Sequence, residues 1–100
     1  MLRITNATAL DGHRLRLTLT NGDLVERDIG ALLWGPAFEP LRKDEGIFRA
    51  VSVRAGTVAW PGDVDLDPDV LIWGGPAPGD PAARPPRALR LERTAPVGTA

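Results

Sequence analysis

Cysteine is absent from these 100 residues, and histidine and serine occur once each, as His13 and Ser52. The first absence excludes disulfides and thiolate metal sites, and it fits a cytosolic setting. The scarcity of the other two leaves little for nucleophilic chemistry. Ser52 falls in mid-strand, and nothing around it resembles a nucleophile elbow. His13 stands at a turn-to-strand junction beside Asp11, and a catalytic role would need a nucleophile or carboxylate held against it. Long apolar runs are missing too. Residues 1–6 contain no apolar core of the kind a signal peptide needs. The longest weakly polar run, residues 29–38, is too short and too rich in Gly and Pro to span a bilayer. There is no internal repeat.

What is present is unevenly placed. Residues 74–100 hold six of the ten prolines and four of the eleven glycines, a composition that favours an extended, solvated chain over a packed one. The expected division is therefore a compact domain over residues 1–73 and an extended or disordered tail over 74–100. A core of that size is marginally stable on its own, so self-association or a partner would add buried surface. The net charge is −3 over residues 1–73 and +2 over the tail. An acidic globule does not look like a duplex-DNA binder, which usually carries a basic face on the folded domain.

Strand and turn signals organise the first half. Residues 4–9 read as a strand ended by Asp11-Gly12. Residues 14–20 alternate strictly, Asn21-Gly22 is a hairpin signal, and residues 24–28 return. A two-residue loop would set Arg16 opposite Arg27, which is unfavourable. A three-residue loop with Gly22 as a bulge sets Leu17 opposite Val25, Arg16 opposite Glu26 and Arg14 opposite Asp28, and is preferred. A short helix is expected near residues 31–34, ended by Gly35-Pro36, and a loop over 38–41. Asp44 caps a turn carrying Ile47 and Phe48. Residues 49–54 and 57–60 form two further strands joined at Ala55-Gly56, with Val53 opposite Val58 and Val51 opposite Trp60. In the tail, residues 87–93 alternate around Leu89 and Leu91; an added edge strand and a solvated extended segment are both open, and the prolines favour the second.

The densest instruction lies in residues 60–71, Trp-Pro-Gly-Asp-Val-Asp-Leu-Asp-Pro-Asp-Val-Leu. Pro61 cannot donate to a ladder and stops the strand. Gly62-Asp63 is turn chemistry. Asp67 is a favoured N-cap, Pro68 suits the first helical position, and Asp69 complements the helix dipole. Residues 70–73 continue the helix until Gly74-Gly75-Pro76 ends it. This segment resembles the signature of the domain of unknown function 2442 family, with Trp60, Asp65, Pro68 and Leu71 as its structural marks. Similar pieces recur in the family's order over residues 4–73: Leu15 to Leu19 before Asn21-Gly22, Asp28-Ile29 before Leu32-Leu33, Phe38 to Leu41, Asp44 with Phe48, and Val51-Ser52-Val53. Two departures are Gly62-Asp63, where relatives usually have Asn-Gly, and Glu26, where they are often apolar. The resemblance implies a gene context like that of a toxin–antitoxin pair. Some relatives carry a helix-turn-helix domain after the equivalent of residue 73, where this chain has its Pro/Gly/Arg tail.

Candidate chemistry is sparse. Asp63, Asp65, Asp67 and Asp69 have the spacing of the first half of an EF-hand loop, but Pro68 stands where Gly is needed and Gly74 where a bidentate Glu is needed. Turn, strand-end and capping roles explain them. Glu39, Asp44 and Glu45 offer carboxylates without a complete acid–base set. Gly74, Gly75 and Gly79 lack the Lys-Ser or Lys-Thr of a P-loop. Arg84, Arg87, Arg90 and Arg93 recur every three residues and would line one edge of a polyproline II helix, available to an acidic partner or a nucleic-acid backbone. A solubilising tail is the plainer explanation. Of the tryptophans, Trp60 alternates into the core. Trp34 and Trp73 each end a short helix beside Gly and, with Phe38, are candidates for a partner interface.

The expectation is thus an α+β fold: an antiparallel sheet of four to five strands with two or three short helices, and the tail. The expected function is a non-enzymatic, antitoxin-like or regulatory partner-binding module in the cytoplasm. It would use no catalytic residue, metal or cofactor, and would not engage a membrane. Its partner would be a protein such as a small toxin-like product of a neighbouring gene, with a homodimer left open. A nucleic-acid-associated protein acting through the Arg tail is the first alternative, and a small metal- or ligand-binding enzyme domain the second.

Overall fold

Strict alternation in Leu15, Leu17 and Leu19 builds the centre of the molecule. The computed structural model describes residues 2–91. Strands β1 (Ile4–Leu10), β2 (Arg14–Leu19) and β3 (Leu24–Asp28) form antiparallel neighbours. The β2–β3 register sets Leu17 against Val25, Arg16 against Glu26 and Arg14 against Asp28, as the three-residue loop requires. Gly22 closes that loop at φ 87°, and its N–H donates to the Leu19 carbonyl at 2.9 Å. Leu15, Leu17, Leu19 and Val25 are buried. On the other face Glu26 takes both Arg16 (3.2 Å) and Arg14 (3.4 Å). These exposed ion pairs add little energy; they select the register.

The 3-10 turn Gly30–Leu32 stands near the expected helix but begins a residue earlier and ends at Leu32. A second 3-10 turn, Pro36–Phe38, leads into α1 (Glu39–Lys43), where a loop was expected. Pro40 fits the first turn, and Arg42 and Lys43 lie at the negative end of the dipole. A five-residue helix has too few positions to show periodicity. Helix α2 (Glu45–Arg49) starts at Asp44, whose carboxylate accepts from the Gly46 and Ile47 amides. The N-cap reading holds.

A second sheet comprises β4 (Ser52–Arg54), β5 (Thr57–Trp60) and β6 (Val64–Asp65). Ala55 and Gly56 both take positive φ, as a two-residue hairpin turn requires. Val53 faces Val58 as expected; the ladder ends at Ser52 and Ala59, so Val51 lies one residue beyond it, in the register that sets it toward Trp60. The sheets meet where the Ile4 amide donates to the Gly56 carbonyl at 3.0 Å. Helix α3 (Pro68–Trp73) follows, with Asp67 as N-cap and Gly74 in the left-handed region as C-cap. One core runs through the molecule and includes Ile4, Leu41, Phe48, Val58, Trp60, Leu71 and Ile72.

The α+β class is as expected; the strand arrangement differs. The strands divide between two sheets. The last, β7 (Ala88–Arg90), joins β3 in parallel, pairing Arg27 with Leu89. The chain after residue 73 is therefore not wholly extended and solvated. Leu91 is buried in the core, and the Leu91 amide donates to the Asp28 carbonyl at 2.8 Å. The edge strand that alternation allowed is formed despite the prolines, five of which, from Pro76 to Pro86, occupy the crossover before it. Residues 92–100, Arg93 among them, lie outside the described residues.

Gly74 makes that crossover possible. Its φ is 80°, and a Cβ there would stand 2.9 Å from the Leu89 Cδ2. Gly74→Ala combines a strained backbone with a clash and is expected to cost about 1–2 kcal/mol, read as a lowered urea midpoint.

Candidate functional site

Among the described residues two large apolar side chains are exposed, Leu24 and Trp34, the latter at 52%. Trp34 follows the 3-10 turn Gly30–Leu32, and Gly35 turns the chain at φ 87°. It lines a groove of about 430 Å³ with Leu32, Pro36, Phe38, Leu66 and Val70. The groove lies between the 3-10 turns and α3, and Asp67 is the one ionisable residue in its wall. Arg42 braces one side, donating to the carbonyls of Leu33 (2.7 Å) and Gly35 (3.0 Å).

The expected interface set is thus split. Trp34 and Phe38 share the groove. Trp73 is half-buried and lines a different recess of about 460 Å³ with Leu2, Ala77, Pro78 and Pro81. Trp60 is a core residue: it is 1% exposed, donates through Nε1 to the Phe48 carbonyl at 2.9 Å and stacks on the Phe48 ring. Of the other signature residues, Pro68 opens α3, Leu71 is fully buried, and Asp65 pairs with Ala59 through β6.

The remaining candidates occupy structural positions. Asp63 pairs with Arg54 at 3.5 Å, and Asp67 accepts from the Asp69 amide at 2.8 Å. Glu39 pairs with Lys43 and Glu45 with Arg49. His13 stands edge-on to Phe48, with ring centres 5.2 Å apart. Arg84 pairs with Asp23 at 2.9 Å and Arg90 with Asp28 at 4.0 Å; Arg87 is exposed.

One residue that sequence reasoning passed over is Arg27, wholly buried on the core face of β3. Its Nε donates to the Leu71 carbonyl. One terminal nitrogen donates to Glu26 (2.7 Å) and Arg87 (3.4 Å), the other to Ile72 (2.8 Å) and Pro86 (2.8 Å), all main-chain oxygens. The guanidinium thus spends its five donors on carbonyls from β3, the end of α3 and the crossover. A cation at a helix C-terminus is favourable. Burial lowers its pKa to about 10, so it remains charged at neutral pH in the folded and unfolded chain and gives stability no slope there. From about pH 10 up to the ordinary arginine value the unfolded chain holds the extra proton, so any slope from this group rises with pH. The signal was present in the register: Val25 faces inward, so Arg27, two residues on, must do so too.

The family described as "Protein of unknown function (DUF2442)" matches residues 4–77, from the start of β1 to just past α3. The chain belongs to this family. Among solved structures, the crystal structure of a "Putative DNA Binding Protein" from Nitrosomonas europaea ATCC 19718 superposes with a TM-score of 0.56 at 31% identity. The match covers 62% of this chain and 41% of that one, so this chain corresponds to less than half of that protein. No curated protein matches this DUF2442 chain. No helix among the described residues is long and apolar enough to cross a membrane.

Proposed function

We propose that this DUF2442 chain is a non-enzymatic partner-binding module of antitoxin-like or regulatory type, acting in the cytoplasm, and that its protein partner docks on the Trp34–Phe38 groove. The supporting observation is the contrast between tryptophans. Trp60 is spent on the core, whereas Trp34 stands half in solvent over apolar walls. Exposed aromatics in such a setting dominate binding energy when covered. Co-expression with the product of the adjacent gene is expected to give a complex on size exclusion. Trp34→Ser is expected to weaken it at least about tenfold while the free protein stays folded, as read by a thermal melt. A complex indifferent to Trp34, or no complex, counts against the proposal.

A second reading is favoured by the description of the Nitrosomonas europaea protein and by exposed Arg84, Arg87 and Arg90: nucleic-acid binding through the tail. Because the segment before β7 is tied to Arg27, deleting the tail would confound folding with binding. Replacing the three arginines with Gln avoids this. Salt-sensitive RNA or DNA binding by the parent protein, lost in the triple variant, is the expected outcome of that reading; no salt-sensitive binding removes it.

A further inference from the structure

The chemistry of the groove narrows its occupant. We infer, resting on the proposed function, that the partner inserts a basic amphipathic helix. Two observations carry this. The first is the state of the groove's main chain. Leu32 N–H donates to Ile29 and Phe38 N–H to Gly35. The Gly35 carbonyl also takes Arg42, the Leu66 amide donates to Val58, and the Asp67 carbonyl accepts from Leu71. Pro36 has no N–H. These main-chain groups are thus already engaged within the walls, so an added strand would find few partners for its own backbone groups at the contact. A helix satisfies its backbone internally and presents apolar side chains at i, i+3, i+4 and i+7.

The second observation is charge. Asp67 lies in the wall, and Asp65 and Asp69 flank it in the chain. Neither of those two carboxylates has a hydrogen bond or ion pair to another described residue. Residues 1–73 carry a net −3. Lys and Arg on the rim of the incoming helix complement this, speeding association and rejecting acidic competitors.

The test uses the full chain and three labelled synthetic peptides of roughly 18 residues, about five helical turns. One has a Leu face and Lys elsewhere. One has the same face with Glu elsewhere. One is the Lys peptide scrambled to destroy the face. Fluorescence anisotropy is expected to show binding of the first, at least about tenfold weaker binding of the other two, and at least about tenfold loss in Trp34→Ser. Asp65→Lys with Asp69→Lys is expected to weaken the Lys peptide and flatten its salt dependence. Circular dichroism and thermal melts establish that each variant is folded. Equal binding of the scrambled or Glu peptide, no binding of the Lys peptide, or indifference to Trp34→Ser overturns the inference. If the adjacent gene product still binds through Trp34 while the Lys peptide does not, the basic helix fails and the docking groove stands; if both fail, the groove fails with it.

Discussion

Arg27→Met is expected to cost about 3–5 kcal/mol, the range for removing one partner from a buried charged network. Methionine keeps much of the apolar stem but donates nothing. The Leu71 and Ile72 carbonyls, buried at the end of α3, lose their donors, and a buried acceptor left unpaired costs about 1–3 kcal/mol. The carbonyls of Glu26, Pro86 and Arg87 are nearer the surface and recover water more cheaply. A domain of this size has about 5–15 kcal/mol in all, so the variant is expected to melt near or below room temperature or to release β7. Arg27→Lys supplies three donors from a point and cannot span carbonyls from three segments; an intermediate loss is expected. Urea titration reads both variants. An Arg27→Met protein as stable as the parent would mean that water already serves these carbonyls.

Trp60→Ala is the second large effect, about 3–5 kcal/mol. The indole is 1% exposed and fills the space beside Phe48, stacked with centres 6.0 Å apart. Its removal leaves a cavity and strips the Phe48 carbonyl of its donor. Trp60→Phe keeps most of the volume and loses the N–H, so about 1–3 kcal/mol is expected from the unpaired carbonyl. The two midpoints separate packing from hydrogen bonding at one position. The contrast with Trp34 is sharp: Trp34→Ser is expected to cost far less stability than Trp60→Ala and to change binding, because about half of its surface is already in solvent.

Local features of this fold were legible in the chain. The Gly22 bulge, the Asp44 and Asp67 caps, the Gly74 stop and the Val53–Val58 pair each depend on residues within a few positions, and turn and cap chemistry is local. Helix α1 was not legible, because five residues give no period and Phe38 to Leu41 carries no loop-breaking signal beyond Pro40, which a first turn accepts. The parallel β7 was harder still. Its partner β3 lies about sixty positions earlier, and six prolines in the tail argued for solvation while Leu89 and Leu91 argued for a strand; Arg27 decides the matter by binding the crossover, and nothing near Pro86 in sequence announces it. Of the candidate site, Trp34 and Phe38 were legible as aromatic punctuation beside Gly35 and Glu39. That Leu66 and Val70 complete their groove, and that Trp73 belongs to another recess, follows from the packing of α3, which no spacing encodes.

Whether the groove between the 3-10 turns and α3 is the docking site can be read residue by residue. Backbone amide NMR spectra of the full chain, titrated with the product of the adjacent gene, are expected to shift at residues 32–38 and 66–70 and to stay still along β1 and β2. Perturbations confined to residues 84–90, or none at saturating partner, would contradict it.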